Sequence, residues 1–207
     1  MKTPYRHADK AMKSLSDKMG AEFQNLSSTL RFDELNVIAV RKQVTQMYER
    51  INAQVLREFR EVASRVHDDT QTEIAVDNTE FLAAAFLIAI FGRYDKVTKY
   101  VYTNEWERKR DRLIESIMAG TGSRDVRQSL KRALDTMRRQ VAQYGDNLTD
   151  EVRNAVFEEA GIEKVRWNTQ RDHKVCEDCR DRDNVIYNLY DVPNKHYHCR
   201  CYLTAVR

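Results

Sequence analysis

Proline is missing from the whole interval between Pro4 and Pro193, and the 207 residues include only six glycines. Few positions therefore remove a backbone N–H or loosen the chain, so helices can run long. No export leader is expected either. The opening "MKTPYRHADKAMKSLSDKMG" has no apolar core of the length such a leader needs, and the expected compartment is a cytoplasm. No apolar run reaches membrane length. The strongest, Phe81 to Phe91, has 11 residues where a span takes about 20, and it reads as a buried core helix. There is no internal repeat and no low-complexity tract. A large charge excess is lacking too, since the net charge of +3 is too small to argue for a nucleic-acid binder by itself.

What is present is a soluble, helix-rich composition, with 32% charged and 42% hydrophobic residues, which excludes a disordered chain. Charge is distributed unevenly. Acids outnumber bases from Glu22 to Gly92, whereas Trp106 to Tyr144 carries ten Lys and Arg against five acids, so a local basic face can form. Lys10 to Arg31 is polar and weakly patterned and suggests a loosely packed helix or arm. Beyond "RFDELN", Val37, Val40, Val44, Met47, Ile51, Val55, Phe59, Val62 and Val66 recur every three or four residues, the mark of a long amphipathic helix in a bundle. "HDDTQTE" reads as a polar link. Tyr94, Val97, Val101, Trp106, Leu113 and Ile117 trace another long helix, ended by "AGTGS", which supplies two glycines and then an N-cap Ser123. The Tyr94, Tyr100, Tyr102 and Trp106 group reads as core and interface, and His7 and His67 as solvated. Two further helices are expected, Ser123 to about Tyr144 and Thr149 to Ala160, the second capped by Thr149 and stopped by Gly161.

After Gly161 the period changes. "EKVRWNT", "NVIYN" and "CYLTAV" read as three strands. All four cysteines lie among them, Cys176 and Cys179 as C-x-x-C, Cys199 and Cys201 as C-x-C, with His196 and His198 just before the second pair. Nineteen residues separate the inner cysteines, a spacing by which zinc ribbons bring two ligand pairs together. Thiolates and imidazoles satisfy tetrahedral zinc, and a turn between two ligands lets both reach one ion. Cys176, Cys179, His196 and one of Cys199 or Cys201 form the favoured set. Two disulfides would staple the segment similarly, but cytoplasmic thiols are kept reduced. A redox C-x-x-C is disfavoured because Glu177 and Asp178 should raise the thiol pKa values. Four crowded thiols also suit coordination better than a single activated nucleophile.

"VRWNTQRDHKVCEDCRDRDNVIYN" followed by "VPNKHYHCRC" resembles the C-terminal domain of phage head morphogenesis proteins, the minor head protein group similar to phage Mu F. The resemblance rests on Trp167, Thr169, Asp172, Cys176, Cys179, Pro193, His196, Cys199, Arg200 and Cys201, and covers roughly Thr149 to Val206. This chain has Asn184 where the family commonly has Gly, and Asn tolerates the left-handed conformation such a turn needs. It has Tyr197 where Pro usually follows the His, and His198 where His is seldom found. The resemblance implies a minor structural protein of a tailed-phage or prophage head. It would act with the portal protein and major capsid protein during assembly and DNA packaging, in several copies around the portal vertex, with packaged double-stranded DNA as a further candidate partner. The location would be the virion, and the host cytoplasm during assembly.

The expected architecture is mainly α with a small α+β C-terminal module. It comprises a long-helix body over residues 1–122 and a domain over 123–207, with the Cys/His cluster at 176–201 in a three-strand knuckle. Structural zinc is the expected cofactor, and no enzymatic constellation is recognised. Trp167, Thr169, Asp172, Pro193 and Arg200 are expected to be structural, Asp172 by fixing the approach of the first ligand pair. Two other readings stand beside this one. A DNA-binding zinc protein would use Arg124, Arg127, Lys131, Arg138 and Arg139, although these do not share one face and Asp125 and Asp135 interrupt them. A metal-dependent nuclease or toxin would draw on Asp172 and His173.

Overall fold

The computed structural model describes residues 3–32, 34–74, 105–170, 175–196 and 199–206. The Phe81 to Phe91 run and Tyr94, Tyr100 and Tyr102 lie outside them. Helix α1 spans Arg6–Thr29 and α2 spans Val37–Glu73. Residues 105–118 are helical and form α3, and α4 spans Ser123–Glu159. Helices α1, α2 and α4 pack pairwise against one another, which makes the body a helical bundle.

The apolar spacing explains the packing. On α2, the valines, Met47, Ile51 and Phe59 expected on one face are buried, from Val40 to Val66. Asn36 begins this helix by accepting the Ile38 and Ala39 N–H groups on Oδ1 at 2.9 and 3.2 Å. Such a cap contributes about 1 kcal/mol. Trp106 stands edge to face with Tyr48, ring centroids 5.2 Å apart, and is core as expected.

Several helix and histidine readings need correction. α1 is not a loose arm, because Ala8, Ala11, Leu15, Met19, Phe23 and Leu26 recur every three or four residues and are buried. "HDDTQTE" is not a link but the last two turns of α2, whose Thr70 and Thr72 hydroxyls bond the Val66 and Asp68 carbonyls within the helix. His67 on that stretch is 2% exposed and thus buried, not solvated. His7 is half-buried, with Nε2 2.6 Å from Asp69 Oδ2.

The two helices expected after Gly122 are a single helix of 37 residues. Gly145 does not break it. A Cβ there would come 3.3 Å from that of Ala8 and 3.6 Å from the Phe59 ring, so the missing side chain lets α4 approach α1 and α2. Thr149 caps nothing, its hydroxyl bonding the Gly145 carbonyl at 2.9 Å. Ser123 is the first helical residue and Gly122 the N-cap. The helix does stop at Gly161, which adopts φ +67°. Ile162 N–H then reaches the Phe157 carbonyl at 2.9 Å and Gly161 N–H that of Glu158 at 3.1 Å, closing a Schellman motif.

Beyond it the three expected strands form one antiparallel sheet. β1 (Lys164–Asn168) lies between β2 (Ile186–Asn188) and β3 (Tyr202–Val206). Val165 pairs with Tyr187 on one side and Ala205 on the other, and Trp167 pairs with Leu203. The alternation buries Val165, Trp167 and Thr169. The molecule is therefore mainly helical with a small C-terminal sheet, as its sequence pattern implied. No helix among the described residues is long and apolar enough to cross a membrane.

Candidate metal centre

The connection from β1 to β2 carries helix α5 (Glu177–Asp181), with Cys176 as its N-cap. Arg180 N–H closes the turn onto the Cys176 carbonyl at 3.0 Å, which sets Cys176 and Cys179 one turn apart on the same side. Ahead of β3 a similar step is made, where Cys199 N–H meets the His196 carbonyl at 3.1 Å. Each segment thus presents two ligands three residues apart.

The two pairs converge. His196 Nε2 lies 3.2 Å from both Cys176 Sγ and Cys179 Sγ, and Cys179 Sγ lies 3.6 Å from Cys199 Sγ. Cys179 also groups with Cys199 and Cys201, all three buried, while Cys176 is exposed. Ligands around one tetrahedral zinc would be separated by about 3.6 Å for sulfur to nitrogen and about 3.8 Å for sulfur to sulfur, given ordinary zinc bond lengths. The observed separations are close to those values. None of the cysteines is in a disulfide. A soft sulfur and imidazole donor set of this shape can hold a metal ion, of the kind that prefers thiolate and nitrogen to oxygen.

The thiols share their protons unequally. The backbone N–H of Cys179 and then its thiol lower the Cys176 pKa, with His196 adding to the effect. Burial pushes Cys179 up to about 12. Hydrogen bonding from the Cys201 thiol lowers Cys199 to about 5, and donating that bond raises Cys201. The expectation that Glu177 and Asp178 raise both C-x-x-C thiols is not met: Cys176 is lowered by the Cys179 N–H and thiol, and it is burial that raises Cys179. In each pair one thiol, Cys176 or Cys199, is shifted toward the thiolate, the form that binds metal.

The described residues around the cluster make packing and hydrogen-bond contacts within the module and to α1. Trp167 is 0% exposed, stacks edge to face on Tyr187 at 6.4 Å, and carries the Arg182 guanidinium 5.5 Å above its ring. Thr169 binds through both its N–H and its hydroxyl to Asp183 Oδ1, at 2.8 and 3.0 Å. Asn184 has φ 67°, the left-handed turn anticipated for it, and its N–H bonds the Trp167 carbonyl at 2.8 Å. Pro193 is half-buried in the loop before His196, and Arg200 donates to Asp9 of α1 at 3.0 Å. Asp172, His173, Tyr197 and His198 lie outside the described residues.

The basic residues singled out on α4 are not gathered into one site. Arg127 lies over the Phe32 ring at 5.7 Å, Arg138 donates to the Ser16 carbonyl at 3.1 Å, and Arg139 donates to Thr136 at 3.3 Å. Arg124 and Lys131 are exposed.

Several residues without a sequence signal join the module to the bundle. The Tyr5 hydroxyl lies 2.6 Å from the Cys201 carbonyl and 2.9 Å from the Asp150 carboxylate, one of which takes its proton. Lys195 donates to the same hydroxyl at 3.0 Å and pairs with Asp150 at 2.6 Å. On the other side, buried Arg153 forks onto Glu73 at 2.9 and 3.1 Å and donates to the Leu203 carbonyl at 2.8 Å. That one side chain ties the end of α2 to β3 through α4. No spacing rule marks a Tyr near the first helix or an Arg within an apolar seam.

A helical bundle carrying a small sheet stapled by a Cys/His cluster is the class of protein these elements define. Residues 108–204, from within α3 into β3, match the family model described as "Phage Mu protein F like protein". The resemblance read from the Cys/His segment is thereby shown for that stretch, which starts earlier in the chain than the motif residues do. No curated protein and no solved structure matches the chain.

Proposed function

We propose that this chain is a minor head protein of a tailed phage or prophage, acting with the portal protein and the major capsid protein during head assembly and DNA packaging. The observation that carries this reading is the family match over residues 108–204, which supports a phage head-related protein. In this reading the C-terminal module is a docking knob stiffened by one structural zinc. Cys176, Cys179 and His196 bind the ion and Cys199 completes the set, supported by its 3.6 Å approach to Cys179. Zinc would supply folding free energy here, not reactivity, since four protein ligands close its coordination. The C-terminal domain expected over residues 123–207 would open on α4, which also packs into the bundle, while the family match itself reaches back to residue 108 in α3.

The role is structural and the location is the head at the portal vertex. A reconstruction of assembled heads tests it directly, with density for a helical bundle beside the portal as the expected result. Heads that assemble and package normally without this chain would sink the reading. Metal analysis of reduced, folded protein tests the zinc, with about one ion per chain expected.

A further inference from the structure

The two ligand pairs of the cluster are held by different means. Cys176 and Cys179 sit at α5, whose own turn sets their spacing. The second pair has no such frame. Among the described residues from 192 to 201 none lies in a helix or a strand, and His196 is exposed. Fixing a stretch of this kind costs conformational entropy at every residue, so its anchors decide where His196 and Cys199 stand.

Those anchors come from the bundle and alternate with the ligands along the chain. Lys195, next to His196, donates to the Tyr5 hydroxyl at 3.0 Å and pairs with Asp150 of α4 at 2.6 Å. Arg200, between Cys199 and Cys201, reaches Asp9 of α1 at 3.0 Å. The Cys201 carbonyl lies 2.6 Å from the Tyr5 hydroxyl. The anchors are unequal. The Arg200 and Asp9 side chains are 45% and 55% exposed, and an ion pair so open to water contributes little. Tyr5, the N-cap residue of α1, is fully buried, and its hydroxyl gathers Lys195 and the Cys201 carbonyl at one point. One oxygen atom thus fixes both ends of the stretch that carries His196 and Cys199.

We propose that Tyr5 is a positioning residue of the metal centre: through Lys195 and the Cys201 carbonyl its hydroxyl holds His196 and Cys199 within reach of the ion, so that metal binding and docking of the α1 start on the module strengthen each other. The proposal rests on the zinc reading of the cluster. Groups that orient metal ligands from behind typically contribute about tenfold to hundredfold in affinity. The coupling runs both ways, because a contact made more firmly in the loaded form adds to the affinity for the ion by the same factor.

The test measures the zinc affinity of the reduced full chain by competition with a chromogenic chelator. Tyr5→Phe should bind zinc about tenfold more weakly than the wild type, equivalent to about 1.4 kcal/mol. The variant keeps the buried ring on which Lys195 stands at 5.7 Å, so the fold should persist. Asn36→Ala removes the α2 cap, at the opposite end of that helix from Glu73, and should leave the affinity unchanged although it weakens the bundle. In hydrogen exchange, zinc should slow the Asp9 amide, bonded to the Tyr5 carbonyl at 2.8 Å, in the wild type and not in Tyr5→Phe. Equal zinc affinity in the wild type and Tyr5→Phe overturns the proposal and leaves the metal reading intact. An equal loss in Asn36→Ala overturns it too, since general destabilisation would then account for the effect. A folded wild-type chain that binds no zinc overturns the metal reading and the proposal with it.

Discussion

The bundle and the Cys/His module hold themselves together in different ways. The bundle buries apolar residues along dozens of helical turns, so no single contact decides its fate. The module, from β1 to β3, has Val165, Trp167, Leu189, Leu203 and three cysteines for a core. So small a unit normally needs a staple. The difference teaches where sensitivity lies: substitutions in the bundle should act in proportion to buried area, and those in the module all or none.

The largest expected effect comes from removing a ligand. Cys179→Ser should disorder the module, because structural zinc contributes on the order of 10 kcal/mol to such units. Helical circular dichroism should fall little while dispersion in the amide NMR spectrum is lost for residues 164–206. Loss of the whole helical signal would erase the contrast between the two regions.

Trp167→Ala should be next, costing roughly 3 to 5 kcal/mol as loss of a buried aromatic does. Denaturant melts followed by module resonances would measure it. A cost under 1 kcal/mol would move the module's core elsewhere.

Tyr5→Phe probes the seam between the regions. It removes the hydroxyl from the Cys201 carbonyl and leaves Lys195 to Asp150 alone, for about 1 to 2 kcal/mol. Hydrogen exchange should speed up both at the start of α1 and around Cys201. Change at only one of the two sites would show that they are not coupled.

The smallest effect concerns Asp146, raised to about 6 by burial first and by Asp9 next. An unfolded Asp ionises near pH 3.9, so between about 4 and 6 the folded chain holds the extra proton and stability falls as pH rises. Asp146→Asn should remove that slope and stabilise the chain at pH 7 by on the order of 1 kcal/mol, discounted for partial solvent access. Melting temperatures across pH 4 to 7 would reveal a slope that persists, contrary to this account.

The module was the more legible region. Two-residue alternation marked β1, the i, i+3 ligand steps marked both halves of the cluster, and Asn184 could be read as a left-handed turn because few residues tolerate one. The bundle was legible in its main helix but not in its punctuation. Gly145 carries the same local signal whether it breaks a helix or lets two helices touch, and only the positions of Ala8 and Phe59 decide between these. The small alanines of α1 lowered its apparent hydrophobicity although their spacing was regular. Tyr5, Lys195 and Arg153 were hidden because their partners are remote in sequence, and Asp183 because a carboxylate in a turn reads as solvated.

The bond between Tyr5 and Cys201 joins residues 196 positions apart. On a ribosome adding about 5 to 20 residues per second, that interval is roughly 10 to 40 s. Through all of it, Tyr5 has helices to lie against but lacks the carbonyl that completes its site. The start of α1 therefore gains its last partner only when Cys201 and β3 are in place, so the seam between bundle and module closes after the bundle itself has packed. A product cut short just before Cys201 would leave the Tyr5 hydroxyl to Asp150 and Lys195, with the start of α1 no longer tied to β3 and more open to a protease.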